Sequence, residues 1–336
     1  MSLRNYLPLS TLIQQLEAVI PPLIEQAQVP GLSLSLIRDA QIIWSSAFGV
    51  KQANTSESVS TQTIFQAASL SKPLFAYATL HLVERGDLDL DRPLTSYLPS
   101  ASLSDDPLQD RITTRIVLCH MTGWPNWREH GQPLHRSVPP GERFGYSGEG
   151  FGYLQQMVEH MTGQSLETFM QKTVFNPLGM SYSSYLWTVS DDVDIATGHD
   201  QLGKPSLSFA MSTPHAAASL HTTPSDYARF LCAMLQPNTI AGTLSLALAE
   251  EMLRPQIQLE PGIAWGLGWG LQQTEDGWAF WHSGDNLGFK NFTLVYPRAQ
   301  MGIVIMTNGD GGVDLWEPLL RISLGGEYPL FVWRAC

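Results

Sequence analysis

The segment TIFQAASLSKPLFAYATLHLVERG (Thr63–Gly86) changes its hydrophobic period part of the way along. From about Ser69 the apolar residues fall at helical spacing, with Leu74, Ala78 and Leu82 on one stripe and Gly86 placed as a C′ glycine. Pro73 falls early, where its missing N–H costs least. The spacing predicts a helix from about Ser69, with Ser69 and Lys72 three residues apart on one face. A serine hydroxyl attacks slowly until a base takes its proton, and a lysine held neutral by burial or a neighbouring cation can be that base. The ordinary alternative is a helix-start serine beside a solvated lysine. Only Lys51, Lys72, Lys172, Lys204 and Lys290 occur in the chain, and no other lysine forms a Ser-x-x-Lys pattern.

Upstream, GLSLSLIRDAQIIWSSAFGV (Gly31–Val50) alternates apolar and polar residues on both sides of Arg38-Asp39-Ala40, which predicts a β-hairpin. Before it, Leu12, Leu16, Ile20 and Ile24 mark an amphipathic helix. That opening has no apolar run followed by a small-residue cleavage site, so it does not read as a secretory signal, and the expected location is cytoplasmic. From Asp87 to about Pro255 helices and long loops dominate. Among them are GYLQQMVEHMTG (Gly152–Gly163) and TPSDYARFLCAML, with Thr223 as N-cap, Pro224 at N1 and Asp226 at N3. Strands then return in AWGLGWGLQQ, GWAFWHSG, NFTLVYP and MGIVIMTN, as expected of an antiparallel meander, before a final helix in DLWEPLLRISL.

Strands at both ends with helices between them fit an α+β fold, one antiparallel sheet built from both termini around a helical insertion. The expected organisation is a single domain over 1–336. Its α/β part takes residues 1–70 and 255–336, its mainly helical part 71–254, and the two meet in a cleft.

With 336 residues and 43% of them hydrophobic, the chain can bury a large core. A net charge of −12 without a basic stripe argues against nucleic acid, and the longest apolar runs are strand-sized, which argues against a membrane span. Cys119, Cys232 and Cys336 are too scattered for a disulfide framework. Neither His130 with His135 nor Cys119 with His120 has metal-ligand spacing, so no metal is expected. No serine stands in a Gly-x-Ser-x-Gly elbow.

Two further stretches could carry chemistry. In FGYSGEGFGYL (Phe144–Leu154), Tyr146 stands in a glycine-rich turn before a helix, where backbone can approach a ligand. In WHSGDNLGF (Trp281–Phe289), a strand ending in His-Ser-Gly brings an imidazole to its edge beside bare glycine backbone. Trp124, Trp127 and Trp265 are candidates to line an apolar cleft.

Taken together, these three elements resemble the serine β-lactamase and penicillin-binding-protein superfamily, and within it the class C-like branch that includes carboxylesterases and D-amino-acid peptidases. Its pattern is Ser-x-x-Lys, then Tyr-x-Asn, then Lys-Thr-Gly or His-x-Gly. VPGLSLSLI, GDLDLDRPLTSYLP, LCHMTGWPNW, VPPGERFGYSGEGFGYL, NPLGM, HSGDNLGFKNFTLVYP and GIVIMTN extend the resemblance over nearly the whole chain. The resemblance implies a β-lactamase/transpeptidase-like fold and a serine hydrolase of small-molecule esters, lactams or peptides, without a cofactor. It implies Ser69 as the acylated nucleophile, with Lys72 and Tyr146 sharing acid–base work and His282 in place of the third-motif lysine. The backbone N–H groups of Ser69 and Asp285 would form the oxyanion hole, and Gly148, Ser283 and Gly284 would border the substrate. Two departures stand out. Gly148 replaces the usual asparagine and removes an amide, and His282 replaces the usual lysine and weakens a fixed positive charge. Esters are therefore expected to be better substrates than lactams. The competing reading is a catalytically weak member of the fold that acts as a scaffold or binding protein.

Overall fold

A computed structural model describes residues 7–98, 106–129, 132–186, 194–206, 213–239 and 242–333. His130 and Cys336 lie outside the described residues. Helix α1 (Leu9–Gln26) leads into β1 (Gly31–Arg38) and β2 (Gln41–Gly49), and β3 (Phe65–Ala68) precedes α2 (Ser71–Glu84). The middle of the chain carries α3 (Thr114–Leu118), α4 (Gly148–Thr162), α5 (Leu166–Met170), α6 (Asn176–Leu178), β4 (Leu220–Thr222), α7 (Pro224–Leu235) and α8 (Leu246–Leu253). Then follow β5 (Ile257–Glu260), β6 (Ile263–Trp265), β7 (Gly270–Thr274), β8 (Gly277–Asn286), β9 (Phe289–Tyr296), β10 (Met301–Thr307) and α9 (Val313–Ser323).

Eight strands form one antiparallel sheet in the order β2-β1-β10-β9-β8-β7-β6-β5. The expected hairpin is β1–β2, turned by Asp39 and Ala40, both at positive φ. The sheet is covered on both faces because its strands alternate two apolar sets. Leu32, Leu34, Leu36, Leu294, Ile303 and Ile305 pack under α1 and α9, where Leu12, Leu16, Ile20 and Leu319 are buried. Val295, Val304, Met306 and Phe280 face the helical region through Leu74, Phe75, Phe151 and Phe230. Two packed faces, each with its own core, make the sheet a rigid partition. Truncating a fully buried leucine such as Leu16 to alanine would cost about 2–5 kcal/mol.

The structure departs from the sequence expectations in four places. Helix α2 begins at Ser71, with Ser69 in the turn before it. AWGLGWGLQQ is not one strand, because Gly268 turns the chain at φ +84° between β6 and β7. Strand β8 continues through Ser283 and Gly284 to Asn286, so His282 stands within the strand and not near its end. Finally, β3 stays out of the large sheet and pairs with β4, inside the otherwise helical segment. Among the described residues no helix is long and apolar enough to cross a membrane.

Candidate active site

The turn that carries Ser69 is set by backbone conformation. Ala68 ends β3 at φ +58°, a left-handed conformation rare outside glycine, next to a register shift against β4. The chain leaves the strand sharply and enters α2, with Lys72 N–H donating to the Ser69 carbonyl at 3.0 Å. This places the Ser69 hydroxyl above the start of the helix, and Lys72 reaches back to it. Lys72 Nζ lies 3.1 Å from Ser69 Oγ and 2.9 Å from the Ala217 carbonyl oxygen. Ser69 Oγ itself is 3.4 Å from that carbonyl.

Lys72 is 1% exposed and forms no ion pair among the described residues. Burial alone pulls its pKa down to about 7, so a neutral amine is accessible near physiological pH. Tyr146 covers the same space, its ring centroid 4.6 Å from Lys72 Nζ. Burial pushes the phenol well above its ordinary pKa, against a smaller opposite effect of its hydrogen bond with Ser69, so it holds its proton. Behind it the buried His120 ring lies 4.2 Å from the Tyr146 ring, centroid to centroid. His120 Nδ1 accepts the Ser147 N–H at 3.0 Å and fixes the turn that presents Tyr146.

His282 stands on the sheet side of the cleft, its ring 6.1 Å from that of Tyr146. Its Nδ1 lies 2.7 Å from the Ser283 carbonyl, which can only accept, so Nδ1 carries the hydrogen. In the neutral ring the lone pair is then on Nε2, which is buried without a partner among the described residues. Burial first and Lys72 second push the His282 pKa down to about 3. The expected weakening of the fixed positive charge goes further here, because an imidazole with so low a pKa is neutral near physiological pH. Of the two ways of keeping Lys72 neutral, burial or a neighbouring cation, burial is the one at work.

From His282 onward β8 has no partner in β7, and that free edge faces β3 and Ser69. Ser69, Tyr146, His282, Ser283 and Asp285 line one cleft of about 380 Å³, with Asn126, Trp127, Ala218, Trp265, Trp281 and Asn286. The only ionised side chain among them is Asp285, held by Lys290 at 2.6 Å, and Lys290 in turn is held by Asp310 at 2.7 Å. Trp127 and Trp265 line the cleft as expected. Trp124 does not, being 2% exposed and packed against Tyr153.

Gly148 is close to the cleft but is not empty space. A Cβ there would meet the Asn126 carbonyl oxygen at 2.8 Å, Trp127 Cη2 at 3.0 Å and Asn126 Oδ1 at 3.1 Å. Residues of a separate loop fill the place of the absent asparagine side chain. Sequence reading missed Asn126, Ala217, Ala218, Trp281 and Asn286. Of these, Asn126 lies in LCHMTGWPNW, one of the stretches that carry the resemblance.

The family model described as Beta-lactamase matches residues 16–321. Protein flp of Staphylococcus aureus (strain N315) is 23% identical over 320 residues, which cover 88% of this chain and 63% of that protein. The chain thus spans less than two thirds of the length of that relative. Penicillin-binding protein 4 of Amycolatopsis lactamdurans is 25% identical over 327 residues, covering 88% of this chain and 85% of its own. Among solved structures, the octameric penicillin-binding protein homologue from Pyrococcus abyssi superimposes with a TM-score of 0.82 at 22% identity, over 95% of this chain and 77% of that one. The chain therefore belongs to the beta-lactamase family, within the superfamily of serine β-lactamases and penicillin-binding proteins.

Proposed function

We propose that the protein is a serine hydrolase that forms an acyl-enzyme at Ser69 and prefers neutral esters to carboxylate-bearing lactams or peptides. The observation that carries this reading is a cleft whose described lining holds no free cation, with the pKa of the buried His282 pushed down to about 3. A substrate carboxylate would find no unpaired cation among the described lining residues and would face the Asp285 carboxylate. On the same side, Tyr146, Trp265 and Trp281 offer an aromatic wall suited to an uncharged leaving group.

The chemistry follows from the geometry. Neutral Lys72 keeps one N–H on the Ala217 carbonyl, which turns its lone pair toward the Ser69 hydroxyl. It takes the Ser69 proton as Oγ bonds to the ester carbonyl carbon. The oxyanion accepts from the backbone N–H groups of Ser69 and Asp285, fixed donors that need no reorganisation. As the ester C–O bond breaks, the proton passes from the Lys72 ammonium to the departing alkoxide, with the Tyr146 hydroxyl as relay. Water then attacks the acyl-Ser69 carbonyl, again giving its proton to Lys72, and Ser69 leaves with that proton restored. An ester needs this help less than an amide does, because its leaving group departs without full protonation.

The test is kcat/KM for a p-nitrophenyl ester against a chromogenic cephalosporin, with fluorophosphonate labelling of native and Ser69→Ala protein. Ester preference together with label lost in the variant supports the reading. A preference for the lactam overturns the substrate class, and an unlabelled native protein favours a binding role.

A further inference from the structure

The carbonyl that orients Lys72 belongs to a short turn, and His215 holds that turn twice. Ala217 N–H donates to His215 Nδ1 at 3.1 Å, and Ala218 N–H donates to the His215 carbonyl at 3.1 Å. A trans peptide is planar, with its C=O and N–H pointing opposite ways. Ala218 N–H shares its plane with the Ala217 carbonyl, so turning the one to His215 turns the other away, to where Lys72 Nζ lies at 2.9 Å. The Nδ1 contact fixes the peptide on the other side of Ala217. Together the two bonds set both planes that meet at the Ala217 Cα.

The rest of the turn is fastened independently. Ala216 N–H donates to Gln155 Oε1 at 2.8 Å, and Gln155 Nε2 donates to the Pro214 carbonyl at 3.1 Å. His215 N–H donates to Ser219 Oγ at 2.8 Å, and that hydroxyl donates to the Tyr185 carbonyl at 2.9 Å. The seat of the turn against α4 therefore does not need the imidazole. What the ring adds is an acceptor for Ala217. An N–H can only donate, so Nδ1 holds the lone pair and Nε2 the hydrogen. Burial first and Lys72 second push the His215 pKa down to about 4, so near pH 7 the ring stays neutral and keeps that lone pair. The ring sits 5.1 Å from that of Trp127 and against α4 at Gly152, where a Cβ would come 3.0 Å from Nε2.

We infer that His215 is a positioning residue for the Ser69–Lys72 pair, its Nδ1 holding the Ala217 peptide so that the Ala217 carbonyl directs the Lys72 amine. This rests on the hydrolase reading above. His215 is not among the residues that line the cleft, so it acts through Ala217 and not on the substrate. A neutral amine has one lone pair, and with one N–H on Ala217 that lone pair faces Ser69 Oγ at 3.1 Å. With the carbonyl turned aside, the amine is free to rotate its lone pair away, which slows the chemical step and leaves substrate binding alone.

The experiment compares His215→Asn with His215→Gln in hydrolysis of p-nitrophenyl acetate and in the rate of fluorophosphonate labelling at Ser69. Asparagine Oδ1 can accept an N–H two residues on, as in an Asx turn, whereas the glutamine carboxamide stands one methylene too far out. The asparagine variant should keep kcat within about twofold, and the glutamine variant should lose about 10–10²-fold in kcat and in labelling rate at little changed KM, the scale for misplacing a catalytic group. A histidine that only packs would lower the melting temperature in both variants and leave their kcat values equal. Equal kcat in the two variants overturns the inference, and so does a loss confined to KM. If the glutamine variant does not fold, His215→Ala, which removes the acceptor without adding bulk, is read in its place. Native protein that labels and turns over the ester while the variants match leaves the hydrolase reading standing and this one fallen. Native protein that does neither brings down both.

Discussion

Gly284 of β8 approaches β3 so closely that a Cβ on it would lie 2.1 Å from the Ala67 carbonyl oxygen. The contact is reinforced by Asn291 Nδ2, which donates to the Gln66 carbonyl at 2.8 Å. The two backbone N–H groups assigned to the oxyanion, on Ser69 and Asp285, each follow directly after this seam. Gly284→Ala should force the strands apart, costing about 1–3 kcal/mol of stability by overpacking. It should also lower kcat for a p-nitrophenyl ester by about 10²-fold, the scale for loss of one oxyanion donor. Thermal melts and steady-state kinetics on the same preparation check both. Native kcat in a correctly folded variant would remove Asp285 from the assignment.

The pH profile should have a single ascending limb. In the proposed mechanism neutral Lys72 is the active form, and its pKa is pulled down to about 7, so log kcat/KM should rise with pH to about 7 and then level off. His282, pushed down to about 3, and Tyr146, held above its ordinary value, add no further ionisation near neutrality. A falling limb between pH 6 and 8 would mean that a second group must stay protonated there.

Lys72→Met should lower kcat/KM by about 10²–10⁴-fold, the usual worth of a general base. Its effect on stability should depend on pH. The folded pKa is depressed below the unfolded value of 10.5, so the unfolded chain binds the extra proton between about pH 7 and 10.5. Native stability therefore climbs with pH through that window, and below it the buried ammonium costs a few kcal/mol. The methionine variant should gain most in melting temperature near pH 6 and least near pH 10. A gain independent of pH would contradict the burial account.

His282→Lys should raise activity on a cephalosporin relative to an ester, because it brings a cation to the cleft wall. The same charge beside Lys72 disfavours a second ammonium, so the ascending limb should move to lower pH. Adding Gly148→Asn should undo the gain. Its Cβ would collide with the Asn126 carbonyl, so the double variant should melt lower and lose turnover. A double variant that outperforms His282→Lys on the lactam would show that the loop at Asn126 can yield.

The sheet was legible because two-residue periodicity survives burial on both faces, as in Leu32-Ser33-Leu34-Ser35-Leu36. The Ser69–Lys72 pair was legible because spacing of three forces proximity at a helix start. What failed was what backbone geometry or distant contacts decide. An alanine does not announce a left-handed φ, so the helix was expected to start at Ser69 and not at Ser71. Histidine spells the same whether buried or solvated, so its charge was not readable. The cap that Asn126 Oδ1 gives the Gly148 N–H joins residues 22 positions apart, beyond any helix-start pattern. Trp124 and Trp127 sit three apart, yet one is core and the other cleft.

Strand β1, made early, completes its edge only against β10, as in the pairing of Leu32 with Thr307. On a ribosome the β1–β2 hairpin would therefore wait with one row of backbone groups unpaired while nearly the whole chain is synthesised. At about 5–20 residues per second that wait lasts tens of seconds. During it the nascent protein carries an open strand edge, a template for pairing with other chains. Yield in the cell should thus depend on chaperone supply and on translation speed. A release of the chain ahead of β10 should give aggregates in place of a partly active enzyme.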